Sequence, residues 1–154
     1  MVDVLCTNPR GFTYVELLLV ITLISLFAVS LSPSISISGG GIESATKKVV
    51  ADLRYAQELA TMNNQNYGIQ FNANGAYILY QGTVATPFTD PLSQTSFSEN
   101  LSRFKNVKIS NTLKVEFDAM GRPALGSGST VTLTNNVINR LVRITANTGF
   151  AEAL

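Results

Sequence analysis

Residues 11–31 of this chain read GFTYVELLLVITLISLFAVSL, and they decide how the rest of the sequence is interpreted. From residue 12 to residue 31 the run is about twenty residues long, and a helix of that length spans ~30 Å, the thickness of one bilayer core. Glu16 carries its one charge at neutral pH, and no Gly or Pro interrupts residues 12–31. A single helix in or through a membrane is the simplest interpretation. The hydroxyl side chains of this helix can hydrogen-bond to its own backbone, namely those of Thr13, Thr22, Ser25 and Ser30.

Glu16 is the informative residue of this stretch. A carboxylate inside a membrane helix costs about 2.5–3.5 kcal/mol on insertion scales, so it usually has a partner. Residues 12–31 contain no Lys, Arg or His that would supply one. In one interpretation Glu16 lies one turn inside the membrane and reaches back to headgroups or water. In the other, the chain is cut after Gly11, and the new α-amine of Phe12 pairs with Glu16 of a neighbouring copy of the helix.

The same residues carry a family resemblance. A glycine, a phenylalanine, a threonine and an isolated glutamate lead the apolar run, at Gly11, Phe12, Thr13, Glu16, Leu17 and Leu18. This order resembles the signature of type IV prepilins and pseudopilins. The resemblance implies that prepilin peptidase cuts between Gly11 and Phe12, that Phe12 becomes N-methylated, and that Glu16, with Thr13, serves filament assembly. The alternative is an ordinary membrane anchor in which Glu16 occupies this place by chance.

The segment before the apolar run, MVDVLCTNPR, is interpreted as a leader that takes no part in the fold. Arg10 argues for a cytoplasmic N-terminus, although Asp3 offsets its charge. An ordinary secretory signal is the rival interpretation, but the apolar run is long for one. Cys6 is the only cysteine of the chain, so no intramolecular disulfide can form.

Composition bounds the remaining possibilities. The chain has 154 residues, a net charge of +1 and 45% hydrophobic residues, which fits one small domain plus an anchor. It contains no His, so zinc sites and His-based catalysis are excluded, and no metal or cofactor is predicted. Asp90 and Glu99 are the only acids of the segment 81–100, so solvated loop residues are favoured there over a calcium site. The near-zero charge gives no general case for nucleic acid.

The segment 32–41 interrupts the helical pattern. Pro33 removes a backbone donor, and three consecutive glycines each disfavour helix by roughly 1 kcal/mol against Ala. We expect a flexible or extended joint here, formed by Pro33, Gly39, Gly40 and Gly41.

A helix is predicted from residue 42 to residue 63, within a helical segment 42–64. Its apolar residues recur every three or four positions. This stripe docks on the protein's own sheet or, as an alternative, on a partner helix. It consists of Ile42, Ala45, Val49, Leu53, Ala56 and Ala60.

From residue 65 the pattern changes to that of β-strands. Residues 67–80 alternate around Asn74-Gly75 and predict a β-hairpin. Residues 81–100 contain two prolines and predict a long loop with a short strand at Val84. Pro123 follows a turn and requires an edge or loop position. Further strands are predicted over residues 107–110, 113–118, 129–134, 141–146 and 150–154, which makes the fold α+β: a membrane helix, an amphipathic helical stem and an antiparallel β domain at 65–154.

The tail extends the resemblance. VEFDAMGRPALGSGSTVTL and RLVRITANTGFAEAL resemble the end of the minor pseudopilin group of the general secretion H and FimT type, in which a terminal strand–Thr-Gly–strand closes a β-sandwich. The positions that carry it are Phe117, Gly121, Arg122, Pro123, Ile144, Thr148 and Gly149.

These observations predict a structural subunit. We expect a leader (residues 1–11), an anchor (12–31) in the bacterial inner membrane, and a periplasmic domain that joins a type II secretion pseudopilus or a type IV pilus with other pilin subunits. One alternative is a DNA-binding minor pilin that takes up DNA, which requires six basic residues to converge on one face; scattered surface charge is favoured over it. Those residues are Lys105, Lys108, Lys114, Arg122, Arg140 and Arg143. A membrane-tethered binding domain that does not assemble also fits the pattern, and a tethered enzyme is the least favoured interpretation.

Overall fold

The computed structural model describes residues 13–30 and 40–154 of the chain. The sites predicted at Gly11, Phe12, Pro33 and Gly39 lie outside these residues. The chain divides into two compact units, residues 1–35 and 36–154.

The first unit contains helix α1, Tyr14–Ser30, within the predicted range 12–31. The hydroxyl of Thr22 donates to the carbonyl oxygen of Leu19 at 2.8 Å, and that of Ser25 donates to Ile21 at 2.8 Å. This confirms for Thr22 and Ser25 that a hydroxyl in the apolar run hydrogen-bonds to the helix backbone. Within the described residues, no helix combines the length and apolarity that a membrane crossing requires.

The second unit begins with helix α2, Gly40–Asn63. The helix starts two residues before the predicted position, so the prediction that Gly40 and Gly41 belong to a non-helical joint was wrong. Packing, not a turn, accounts for the glycine at position 41: a Cβ on Gly41 would lie 2.8 Å from the carbonyl oxygen of Phe104. A glycine is therefore required where the first turn of α2 packs against that segment.

Two antiparallel sheets follow α2 in the described residues. The first has the order β3-β2-β1-β5-β6, and the second has the order β4-β7-β8-β9. A short 3-10 helix, Leu101–Arg103, follows β3. The strands are β1 Tyr67–Phe71, β2 Ala76–Gln81, β3 Ser98–Asn100, β4 Lys108–Ile109, β5 Leu113–Phe117, β6 Pro123–Leu125, β7 Thr130–Thr134, β8 Asn139–Ile144 and β9 Ala151–Ala153.

The hairpin of β1 and β2 matches the prediction, with Tyr67 opposite Gln81 and Phe71 opposite Tyr77. Segment 81–100 differs from the prediction: no strand forms at Val84, while β3 pairs with β2 as an edge strand. Strand β6 was also not predicted, and it places Pro123 at the other edge of the first sheet, as its missing donor requires.

Helix α2 packs against both sheets, contacting β1 and β5 of the first and β7, β8 and β9 of the second. All six residues of its predicted apolar stripe are buried. The stripe therefore docks on the protein's own sheets, which confirms that interpretation over a partner helix. The result is an α+β fold with antiparallel sheets; the sandwich-like packing implied by the resemblance stays a prediction.

Candidate functional site

The N-terminus of α1 brings Thr13 and Glu16 together. Thr13 directly precedes the helix, and its hydroxyl oxygen accepts a hydrogen bond from the backbone N–H of Glu16 at 3.3 Å. The carbonyl oxygen of Thr13 accepts the N–H of Leu17 at 3.2 Å. Thr-x-x-Glu is the spacing of a capping box, so Thr13 is the residue that starts the helix. Sequence reasoning assigned Thr13 to assembly and missed this role, although the spacing signals it.

Glu16 lies in the first turn of α1 and is exposed. The helix dipole favours a carboxylate at this end. Large apolar side chains on successive positions of α1 are also exposed, from Val15 at 71% to Ile24 at 62%. Because α1 is apolar all round, it requires an apolar surrounding, either lipid or other helices. Glu16 is then a single acid at the end of an otherwise nonpolar surface.

A second polar cluster lies inside the domain. The Tyr77 hydroxyl donates to Asp52 Oδ2 at 2.6 Å, and Lys48 Nζ lies 2.6 Å from Asp52 Oδ1. Lys48 also approaches Glu99 at 3.3 Å, and Glu99 pairs with Arg103 at 2.8 Å. Burial raises the pKa of the Asp52 carboxyl, against the hydrogen bonds from Lys48 and Tyr77 that lower it. The hydrogen bonds and ion pairs of this cluster connect α2 with β2, β3 and the 3-10 helix.

A third contact joins the positions that carried the tail resemblance. The Gln57 side-chain amide in α2 donates to the carbonyl oxygens of Gly121 at 2.6 Å and Thr148 at 2.7 Å. Gly149 has φ +69°, and a Cβ there would lie 2.8 Å from the Phe117 ring. The glycine turn after β5 and the Thr-Gly turn before β9 therefore meet at one helix side chain. Sequence reasoning missed Gln57, because a polar residue beside an apolar stripe carries no signal of its partners.

Segment 81–100 packs on the domain through aromatic side chains. Phe88 lies 6.2 Å from Tyr55 and 5.8 Å from Tyr67, measured between ring centroids. Hydrogen bonds from the backbone of Leu92 and from the Ser93 side chain lower the pKa of Asp90. Glu99 is engaged by two basic side chains, and no group of three potential metal ligands forms in the described part of the chain.

The six basic residues of the DNA-uptake alternative lie in strands of both sheets, in the segment before β4 and in the turn between β5 and β6. Lys114 in β5 belongs to the first sheet and Lys108 in β4 to the second. The three arginines are each paired with a carboxylate: Arg122 with Asp118 at 3.0 Å, Arg140 with Glu43 at 3.5 Å, and Arg143 with Glu152. Because these three guanidinium groups are already paired with carboxylates, their charge is less available for contacts with DNA phosphates.

Comparison with known proteins gives a consistent result. The family model described as type II transport protein GspH matches residues 45–149. Among solved structures, the chain is similar to the type IV minor pilin FimU of Pseudomonas aeruginosa, with a TM-score of 0.57, 16% identity, and coverage of 73% of this chain and 87% of that one. It is also similar to the minor pseudopilin EpsH from the type 2 secretion system of Vibrio cholerae, with a TM-score of 0.52, 13% identity, and coverage of 75% and 96%.

No curated protein sequence matches the chain at a significant level. The structural similarities confirm the pilin-like fold, and the family match spans more than half of the chain and includes α2 from Ala45 through the Thr-Gly turn. The chain therefore belongs to the GspH family, whose model is described as type II transport protein GspH, and it shares the fold of the minor pilin FimU and the minor pseudopilin EpsH.

Proposed function

We propose that the chain is made as a membrane-anchored precursor and is then built into a filament. Prepilin peptidase cuts between Gly11 and Phe12, and Phe12 is N-methylated. Residues 12–31 anchor the protein in the inner membrane, with the domain after them in the periplasm. The apolar run, the prepilin-like motif and the family membership support this order of events.

Assembly uses Glu16. When the apolar helix leaves lipid and packs among other helices, its carboxylate pairs with the α-amine of Phe12 on an adjacent subunit. The observation that carries this step is a single acid, in the first turn of an apolar helix started by Thr13, with an exposed carboxylate. An unpaired charge in an apolar filament core is strongly unfavourable, so only a correctly placed neighbour satisfies it. Its role is structural rather than catalytic, and it requires no cofactor.

Residues 32–39, with Pro33 and Gly39, form the joint between the assembly helix and α2 in this proposal. The two later glycines belong to α2. The joint allows the domain to reorient when the anchor moves from lipid into the filament.

The first experiment tests Glu16. Glu16→Ala should lower incorporation into sheared filaments while the protein still fractionates with membranes. Glu43→Ala is the matched control, because Glu43 is an acid in the first turn of α2 and its partner Arg140 is exposed. Normal filament recovery for Glu16→Ala, or equal losses for both variants, would contradict the assembly role.

A second experiment tests processing. Gly11→Ala should slow removal of the leader, which intact-mass measurement of the extracted protein detects directly. In wild type the same measurement should find an N-terminal Phe12 carrying one methyl group. Retention of Met1 in cells with active prepilin peptidase would exclude the filament-subunit proposal and leave a tethered domain that does not assemble.

A further inference from the structure

The end of the domain at which α2 begins carries more positive charge than the rest of the domain. We define the basic end as the first half of α2 (residues 40–52), the segment 98–109 and the start of β8 (139–140). It carries six basic and three acidic side chains, a net charge of +3, whereas the rest of the domain carries four basic and five acidic side chains, a net charge of −1. The basic residues of this end are Lys47, Lys48, Arg103, Lys105, Lys108 and Arg140.

Contacts join these three segments. A Cβ on Gly41 would lie 3.1 Å from the Lys105 side chain, and Arg140 lies 3.5 Å from Glu43 in the first turn of α2. Lys48 reaches Glu99 in β3 at 3.3 Å. The segments therefore form one end of the domain, at which α2 begins.

Its acids are already engaged by basic partners. Glu43 pairs with Arg140, and Glu99 pairs with both Lys48 and Arg103. The Lys47 and Lys108 side chains are exposed and take part in none of the ion pairs found among the described residues. The excess positive charge of this end is therefore directed to solvent, where it creates a field that attracts anions.

The chain enters the domain at this same end. Nine residues, 31–39, separate the last residue of α1 from Gly40 in sequence. Such a segment reaches about 36 Å at most when it is fully extended. If α1 is held in a bilayer, as the proposed function requires, the entry end of the domain can reach the lipid headgroups and cannot move farther from the end of α1 than this length.

We propose that the basic end binds the anionic phospholipid surface of the membrane while the subunit awaits assembly. The phosphate groups of the headgroups are the ligands, and Lys47 and Lys108 are the principal contacts. The inference rests on the proposed membrane anchorage. Each basic residue near an anionic surface raises the ratio of lipid-bound to lipid-free states about fivefold, and the effect is lost beyond a Debye length. Binding is therefore weak and reversible, so it keeps the domain close to the membrane surface. The domain leaves the lipid when the subunit enters the filament.

The test uses the full chain in nanodiscs of phosphatidylcholine alone or mixed with phosphatidylglycerol. Cys6→Ser with Ser44→Cys leaves one exposed thiol in the first half of α2 for a fluorophore, and nitroxide-labelled headgroups quench it on approach. Quenching should be stronger in anionic discs at about 50 mM salt and should fall to the neutral level at about 500 mM. Sodium phosphate and sodium chloride at equal ionic strength should act alike, since the ligand is the membrane surface and not free phosphate.

Lys108→Gln and Lys114→Gln form a matched pair, because each removes one lysine charge from a strand. Lys114 lies over the Tyr80 ring, whose hydroxyl donates to Glu116, and none of these three residues belongs to the segments of the basic end. Lys108→Gln should lower the bound ratio about fivefold and Lys47→Gln equally, while Lys114→Gln should leave it unchanged. Equal quenching in neutral and anionic discs, or equal effects of the two strand variants, would overturn the proposal.

Two further results are distinguishable. If the chain does not remain with neutral discs at all, the membrane anchorage of the proposed function fails, and this inference fails with it. If a short DNA duplex binds tightly at about 150 mM salt and loses that binding with Lys108→Gln, the end is a nucleic-acid surface and the lipid proposal is overturned.

Discussion

The bond between Tyr77 and Asp52 offers a direct test of what holds α2 on the first sheet. The Tyr77 side chain is fully buried, and its hydroxyl donates to the carboxylate at 2.6 Å. Tyr77→Phe removes that donor but keeps the ring, which packs 5.3 Å from Phe71 between centroids. The substitution therefore isolates one hydrogen bond.

The expected magnitude follows from the charge of the acceptor. Hydrogen bonds to charged groups contribute about 1.5–3 kcal/mol, against about 1 kcal/mol for neutral pairs. Asp52 keeps its contacts with Lys48 at 2.6 and 2.9 Å, so the carboxylate does not become unpaired. Tyr77→Phe should thus lower the free energy of unfolding by about 1.5–3 kcal/mol. In an Asp52→Asn background, where the acceptor is neutral, the same change should cost about 1 kcal/mol.

Urea unfolding of a fragment covering residues 40–154, which contains the core described above, measures both values. Tyr55→Phe is the matched control: its hydroxyl makes no hydrogen bond within the described residues, and its ring packs against Phe88 and Phe97. The control should change the free energy of unfolding by less than about 0.5 kcal/mol. Equal losses for the two tyrosine variants would refute the reasoning, because the Asp52 bond would then contribute nothing beyond ring packing.

Three other changes use the same fragment. Gly68→Ala should lower stability by about 1–3 kcal/mol, because a Cβ would lie 2.4 Å from the Tyr80 ring; an unchanged urea midpoint would contradict this. Gln57→Glu should lower the free energy of unfolding by about 1–3 kcal/mol at neutral pH, because two loop carbonyl groups lose their donor. In acid the new side chain is protonated and donates one hydrogen bond, so thermal unfolding should show a smaller loss of stability there. Burial raises the folded-state pKa of Asp52 above its unfolded value, so its contribution to stability is highest at low pH and falls as pH rises through the folded pKa. The free energy of unfolding of the wild type, minus that of Asp52→Asn, should therefore be larger at about pH 4 than at about pH 7. An equal difference at both pH values would count against a raised pKa.

Those parts of the fold that depend on local pattern could be predicted from the sequence. The apolar run predicted α1, and the stripe from Ile42 to Ala60 predicted both α2 and the face it buries. Asn74-Gly75 fixed the hairpin, because Gly75 has φ +90°, a conformation that glycine adopts without strain. In each case the signal lies within a few residues of the structure it produces.

The parts that were missed depend on distant partners. Strand β3 exists because it pairs with β2 across a loop that reads as polar and proline-containing. Gly41 looked like a helix breaker, but it lies in the first turn of α2, where a close contact with Phe104 requires a residue without a Cβ. The Asp52 cluster joins residues up to about fifty positions apart in sequence. No periodicity in a single sequence reports such pairings.

The proposed assembly step depends on Glu16 because apolar contacts do not determine register. A helix that is apolar all round packs almost as well after it slides by one turn, since hydrophobic contact is non-directional. A charge pair differs: at ~4 Å and an effective dielectric of ~20, the attraction is ~4 kcal/mol, and a slip of one turn (~5.4 Å) along the helix axis lowers it to ~2.5 kcal/mol. Thr13 starts the helix immediately before this acid and so places the carboxylate in the first turn, one turn from the amine that cleavage creates. The register of the proposed filament is therefore selected by one ion pair. The apolar side chains of α1 supply most of the association energy but do not determine the register.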